Sequence, residues 1–386
     1  MDLSGDNDMF RNAFRRLIYL IAKRRGIIRN QFKSKYTKKA LISYITYPFY
    51  KGVSRYHSNT NEVLRVADIF HEIGFQVDVV DWDKNVNLCF DDYDVLFGFG
   101  QTYDESFYAS VKDDLKRIYY ATGAHVTFQN KAELDRCQYL FERKGVMLKP
   151  RRLVRCCWSA STAMSNLIVT LGNDFTANTY RKNSSVQVKS IPISVFCYAN
   201  VNNNNRSIAK AKREFLWFGS NGLVHKGLDL TIEAFSNNAD LVLHICAPKD
   251  DEFFDLYKNE FEMSNVVYHG YLDVASKEFN DVIQKCMFTI FPSCSEGGGG
   301  ALLTTMGAGL IPIATIESSV NLKEIGFIIE EATVECIDKL IREVSKESDE
   351  RLCLLSDLNY DFVRTNHTID EFKSCLEDVI KEVVDS

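Results

Sequence analysis

Residues 287–315, MFTIFPSCSEGGGGALLTTMGAGLIPIAT, constrain the fold more than any other stretch. Residues 287–291 form a short apolar run of β-formers, closed by Pro292. Residues 293–300 form a turn-rich loop with four consecutive glycines. Residues 301–308 have helical composition, with Gly309 placed as a C-cap. Residues 310–315 are a second apolar run. Strand, loop, helix and strand in this order make a unit of a parallel sheet, with the loop at the carboxyl end of the first strand.

The residues of the loop suggest its chemistry. Gly297, Gly298, Gly299 and Gly300 have no Cβ, so a ligand can approach their backbone closely. The helix that follows points free N–H groups and the positive end of its dipole at the loop, which suits a diphosphate. A carboxylate at the rim would repel phosphate. Glu296 therefore fits neutral hydroxyls better, such as those of a sugar attached to the diphosphate. This reading gives a nucleotide-sugar pocket, against the plainer one of a loop carboxylate in water.

The segment FPSCSEGGGGALLTTMGAGLIPIA resembles the donor-site motif of family 4-type glycosyltransferases, a retaining group of the GT-B fold. Pro292, Ser293, Glu296, Gly297, Gly299, Met306, Gly309 and Pro312 carry the likeness. The family's second Glu, eight residues after the first, usually holds the donor ribose; here that position is Thr304. A second segment, FGSNGLVHKGLDLTIEAF at 218–235, is similar to the family's diphosphate clamp through Lys226, Gly227, Asp229, Glu233, Ala234 and Phe235. The family's clamp Arg falls on Ser220. The likeness is specific over about residues 213–365 and mostly architectural before that.

Composition sets bounds. The chain has 386 residues, 46% hydrophobic and 25% charged, which suits two globular domains. No apolar run approaches 18 residues, and the N-terminus lacks the small-residue cleavage site of a signal peptide. Eleven scattered cysteines without C-x-x-C fit reduced thiols in a cytoplasmic protein. Seven histidines without H-E-x-x-H argue against zinc, and no metal is expected. Residues 1–39 hold 11 Lys/Arg and three Asp, a net of +8; the remaining 35 basic and 49 acidic residues give −14. A basic leader on an acidic body suggests an anionic partner for the leader alone.

Residues 9–25 have helical period, with Phe10, Phe14, Leu17, Ile18 and Ile21 on one stripe framed by Lys and Arg. Such a helix can lie on an anionic membrane surface or pack on the body. Nucleic acid is a poorer partner, because nothing else in the chain is basic. Residues 39–197 alternate strand and helix without G-x-G-x-x-G, which removes the main support for a dinucleotide-binding oxidoreductase. The Asn-rich stretch 198–212 reads as a linker, and 213–365 as a second strand–helix alternation.

The expected fold is α/β, with two Rossmann-like domains facing across a cleft. Residues 1–38 are the leader, 39–197 the acceptor domain, 213–365 the donor domain, and 366–386 a helix that by analogy crosses back to the first domain. The resemblance implies transfer of a sugar from a nucleoside diphosphate to a hydroxyl of a glycan or lipid-linked acceptor, with retention, in surface polysaccharide or glycolipid synthesis. It implies Glu296 and His125 at the reacting sugar. Gly219, Ser220, Lys226, Gly270, the glycines 297–300 and Thr304 would meet the donor. His57 is a further cleft candidate, and His225 reads as a bystander. The alternative is a non-catalytic subunit that keeps the fold with weakened donor contacts.

Overall fold

The computed structural model describes residues 26–156, 159–201 and 206–386. The amphipathic leader helix proposed for 9–25 lies outside these residues, as do four residues of the Asn-rich stretch.

Two sheets organise the described chain. The first has seven strands in the order β1-β3-β2-β4-β5-β6-β7. They are β1 (Ile27–Ile28), β2 (Lys39–Tyr44), β3 (Gln76–Asp81), β4 (Val95–Gly98), β5 (Lys116–Ala121), β6 (Leu167–Leu171) and β7 (Val188–Ile191). All pairs are parallel except β1 on β3. The second sheet is wholly parallel, in the order β10-β9-β8-β11-β12-β13. Its strands are β8 (Glu214–Phe218), β9 (Val242–Cys246), β10 (Val266–Gly270), β11 (Phe288–Phe291), β12 (Ile311–Ala314) and β13 (Phe327–Ile328). Strands such as LIVTL and FTIF are fully buried and nearly all apolar because helices cover both faces of a parallel sheet. The expected pair of Rossmann-like domains is therefore present.

Among the parallel strands of each sheet the chain reverses its direction of travel once, between β2 and β4 and between β8 and β11. Crevices open at the carboxyl ends of such neighbours. Residues 219–226 leave β8 and residues 292–299 leave β11, so both motifs reach the same crevice.

The C-terminal elements return to the first sheet. Ser348 and Thr368 cap the Asp349–Asn366 and Ile369–Val384 helices with side-chain oxygens that accept backbone N–H groups. Phe372, Leu376, Ile380 and Val383 lie on one face of the second helix, which packs on the Asn59–Glu72 helix. They share one core with Val63, Val66 and Phe70.

Several local expectations differ. Residues 26–38 do not form part of a separate leader: β1 joins the first sheet, and Arg29 Nη1 donates to Asp78 at 3.0 Å. The helix after the glycine loop spans Gly300–Met306 with Gly307 as its C-cap; Gly309 instead takes φ +98° in the turn that follows. The Gln101–Ala109 helix has little apolar period, and the short Asp174–Arg181 helix, though amphipathic, was not read from the sequence.

Candidate active site

A cleft of about 1040 Å³ lies between the two sheets. The second domain lines it with Phe218, Gly219, Ser220, Lys226, Glu296, Gly297, Gly299, Gly300 and Thr304. The first domain contributes Tyr44, Glu62, Tyr120, His125 and Arg152 among others.

At its centre Lys226 Nζ and Glu296 Oε1 form an ion pair, and Ser293 Oγ donates to the same carboxylate oxygen at 2.9 Å. Both side chains are largely buried, at 6% and 12% exposure. The Lys226 ammonium also lies 5.2 Å from the Phe291 ring centroid. Gly219 leaves room for this lysine. A Cβ there would lie 2.7 Å from the Trp217 ring and 3.3 Å from Lys226 Cδ. Burial would raise the Glu296 carboxyl. The charges of Lys226, His225 and Arg152, with the Lys226 hydrogen bond, hold it below the usual carboxylate range.

His125 is buried and caps the Val126–Lys144 helix, its Nδ1 accepting from the Thr127 N–H. Burial lowers its pKa, so the ring is neutral at pH 7. With Nδ1 as acceptor, the proton sits on Nε2, and the ring offers one donor at the cleft wall. Thr304 donates its hydroxyl to Gly300 O at 2.8 Å, leaving only its oxygen lone pairs for a ligand. Ser220 is exposed in the cleft. His57 also lines it, with Nδ1 accepting from Asn59 N–H at 3.3 Å.

Three of the expected positions have a different surrounding. Gly270 ends β10 at φ +77° and is not in the cleft wall; its neighbour Tyr271 is. Gly298 is buried against the first domain, where a Cβ would lie 2.7 Å from Ile193 Cγ2 and 3.3 Å from Gly172 N. A Cβ on Gly297 would lie 2.2 Å from Thr122 O. At these two residues the glycine run lets two protein backbones meet, and Gly297 lines the cleft as well.

His225 is no bystander. Its Nε2 lies 2.7 Å from Ser295 O, a carbonyl that can only accept, so that nitrogen carries a proton. Its Nδ1 lies 2.6 Å from Glu133 Oε2 and 3.3 Å from Cys294 Sγ. Glu133, His225 and Cys294 converge as a metal trio could. Glu133 Oε1, however, accepts the N–H groups of Arg151 and Arg152 at 2.6 and 2.9 Å, so hydrogen bonds already satisfy both of its oxygens. The trio is a hydrogen-bonded bridge from the first domain to the loops that hold Lys226 and Glu296. Sequence spacing could not reveal it, because 92 residues separate Glu133 from His225.

Glu62 was also missed. It is 2% exposed in the cleft floor, where Oε1 accepts from Ser194 N and Oγ, both at 2.9 Å. Burial raises its pKa against those bonds.

Residues 201–354 match the family model described as Glycosyl transferases group 1. No curated protein matches the chain. Among solved structures, sucrose-phosphate synthase from Thermosynechococcus elongatus is similar over 90% of this chain and 98% of its own, at 12% identity and TM-score 0.60. A glycosyltransferase from Rickettsia africae covers 90% and 99% at 12% identity and TM-score 0.58. Anabaena HepE, solved with UDP and glucose, covers 90% and 100% at 10% identity and TM-score 0.57. At such identities the likeness is one of fold, that of two-domain glycosyltransferases.

Proposed function

We propose that the chain is a glycosyltransferase that moves a sugar from a nucleoside diphosphate to a hydroxyl of a glycan or lipid-linked acceptor, with retention. One observation carries this reading: a buried lysine and a buried glutamate pair at the carboxyl ends of β8 and β11, in the segment that matches the family model. The lysine is suited to a phosphate and the glutamate to sugar hydroxyls. Neutral His125, on the opposite wall, is suited to a sugar oxygen. The donor would bind the second domain and the acceptor the first. No residue need act as base, since the leaving phosphate can take the proton. Positive charge from the protein would meet the leaving group without a metal.

Synthesis of surface polysaccharide or glycolipid, on the cytoplasmic face of a membrane, fits a basic leader on an acidic body. The deciding experiment is turnover of a panel of nucleotide sugars, with and without EDTA, followed by the anomeric configuration of the product. Release of nucleoside diphosphate coupled to an α- or β-glycoside of the donor's own configuration is expected. Donor binding without any turnover, across acceptors, would favour the non-catalytic subunit instead.

A further inference from the structure

Lys226 is already compensated by Glu296, and a diphosphate carries more than one negative charge. A lysine shared with a carboxylate supplies only part of the positive charge a diphosphate calls for, which leaves a place for a second cation. Four arginines line the cleft: Arg55, Arg151, Arg152 and Arg155. Arg151 pairs with Asp250 at 3.2 Å and Glu252 at 3.1 Å, and Arg55 with Asp273 at 3.6 Å. Arg152 and Arg155 have no ion-pair partner among the described residues.

Arg152 is the better placed. Its stem lies over Gly222, where a Cβ would meet Arg152 Cγ at 2.6 Å and Cδ at 3.0 Å. Gly222 O in turn accepts the Lys226 N–H at 2.9 Å, so Arg152 rests on the same turn that carries the lysine. The backbone under Arg152 is fixed. Its N–H donates to Glu133 Oε1 and its carbonyl accepts from Gln129 Nε2 at 3.0 Å. Asn130 holds Val154 by both its oxygen and its nitrogen, at 2.8 and 2.9 Å. The pinned main chain and the stem over Gly222 hold an exposed guanidinium, in no ion pair among the described residues, at the cleft wall. Its charge also helps to depress Glu296.

We propose that Arg152, a residue of the first domain, binds the donor's diphosphate together with Lys226, so that the phosphate site is assembled from both domains. The inference rests on the nucleotide-sugar reading above. In this arrangement a nucleoside would dock on the second domain alone, while a diphosphate would tie the domains together.

The test is calorimetry on the full chain with UDP, GDP and ADP and with the matching nucleosides, for wild type, Arg152→Gln, Arg152→Lys and Arg155→Gln. The Gln variant keeps the main-chain bonds that hold the loop, and its melting temperature checks this. Arg152→Gln is expected to weaken binding of the preferred diphosphate about tenfold or more, the loss of one charge-assisted contact, with nucleoside affinity unchanged. Arg152→Lys should recover part of the loss, and Arg155→Gln should show little of it. Equal diphosphate affinity in wild type and Arg152→Gln, or equal losses for diphosphate and nucleoside, would overturn the inference and leave the nucleotide-sugar reading standing. A wild-type chain that binds none of the three diphosphates would overturn both.

Discussion

At the scale of single residues, the Lys226–Glu296 pair sets opposed expectations for its two members. Lys226→Ala leaves a buried carboxylate without its cation and, on the proposed reading, removes a partner of the diphosphate. Calorimetry should find diphosphate binding weakened by roughly 1.5–3 kcal/mol and nucleoside binding nearly unchanged. Equal losses would move Lys226 out of the phosphate site. Glu296→Gln should act the other way on affinity. It frees the lysine and removes a negative charge, so affinity for free diphosphate should rise. Transfer should nevertheless fall by about two orders of magnitude, because on the proposed reading the sugar hydroxyls lose a charged acceptor. Unchanged turnover in that variant would remove Glu296 from the reacting centre.

At the scale of elements, the Val126–Lys144 helix stands out. It follows β5 in the first sheet, yet it grips the second domain along its length. Arg136 Nη1 donates to Pro292 O at 2.9 Å, and Arg143 Nη2 lies 2.5 Å from Asp229 Oδ2 with Glu233 at 3.3 Å. Lys144 reaches Glu260 at 3.0 Å. Asp229 is fully buried, and burial raises its pKa against the two arginines. Arg143→Ala would leave it without its closest cation and should cost about 3 kcal/mol, read by denaturant unfolding. A loss under 0.5 kcal/mol would make the pair dispensable. How much of this could be read from the sequence divides along the same line. The strand–loop–helix around 287–315 and the Lys226 segment were legible, because an apolar run, a glycine cluster and a helix-start lysine are local signals. The partners of these residues were not. Gly298 against Gly172, His225 against Glu133 and Lys226 against Glu296 join positions far apart in the chain, and no periodicity encodes such meetings. One signal was available and unused: RRLVR at 151–155 is a basic cluster in an otherwise acidic body.

At the scale of the whole molecule, a half-buried histidine paired with a buried one gives stability a pH slope. His269 is lowered to about 4 by burial, by His244 and by Lys285; its Nε2 lies 2.9 Å from His244 Nδ1, and His244 in turn bonds Glu214. Its folded pKa lies below its unfolded value of about 6.5, so between the two the unfolded chain binds more protons. The contribution is complete above about pH 6.5 and lost as pH falls towards 4. The melting temperature of His269→Gln should therefore gain on wild type as pH drops through that window. A pH-independent gap would mean that His269 does not titrate there. The leader gives a second whole-molecule expectation. Full-length chain should co-sediment with anionic vesicles and release with salt, since each Lys or Arg near the surface adds about 1 kcal/mol. Deleting residues 1–25 should abolish this. The cut stops there because β1 belongs to the first sheet. Full-length chain that ignores anionic vesicles would assign the apolar stripe to packing on the body.

The grip of the Val126–Lys144 helix bears on how such a chain can be taken apart. Leu140, from that helix, and Leu148, just beyond it, sit in the same apolar cluster as Phe215, Trp217, Leu228 and Phe253 of the second domain. The linear boundary near 198–212 is thus not the boundary of the cores. A fragment beginning at residue 213 would expose the wall that Leu140 and Leu148 cover, and would lose the counterions of Asp229 and Glu233. Recombining first domains among similar chains at the linker would replace this wall with a foreign one. Grafts that carry residues 126–156 along with the second domain keep the cluster intact and are the crossovers expected to yield soluble protein.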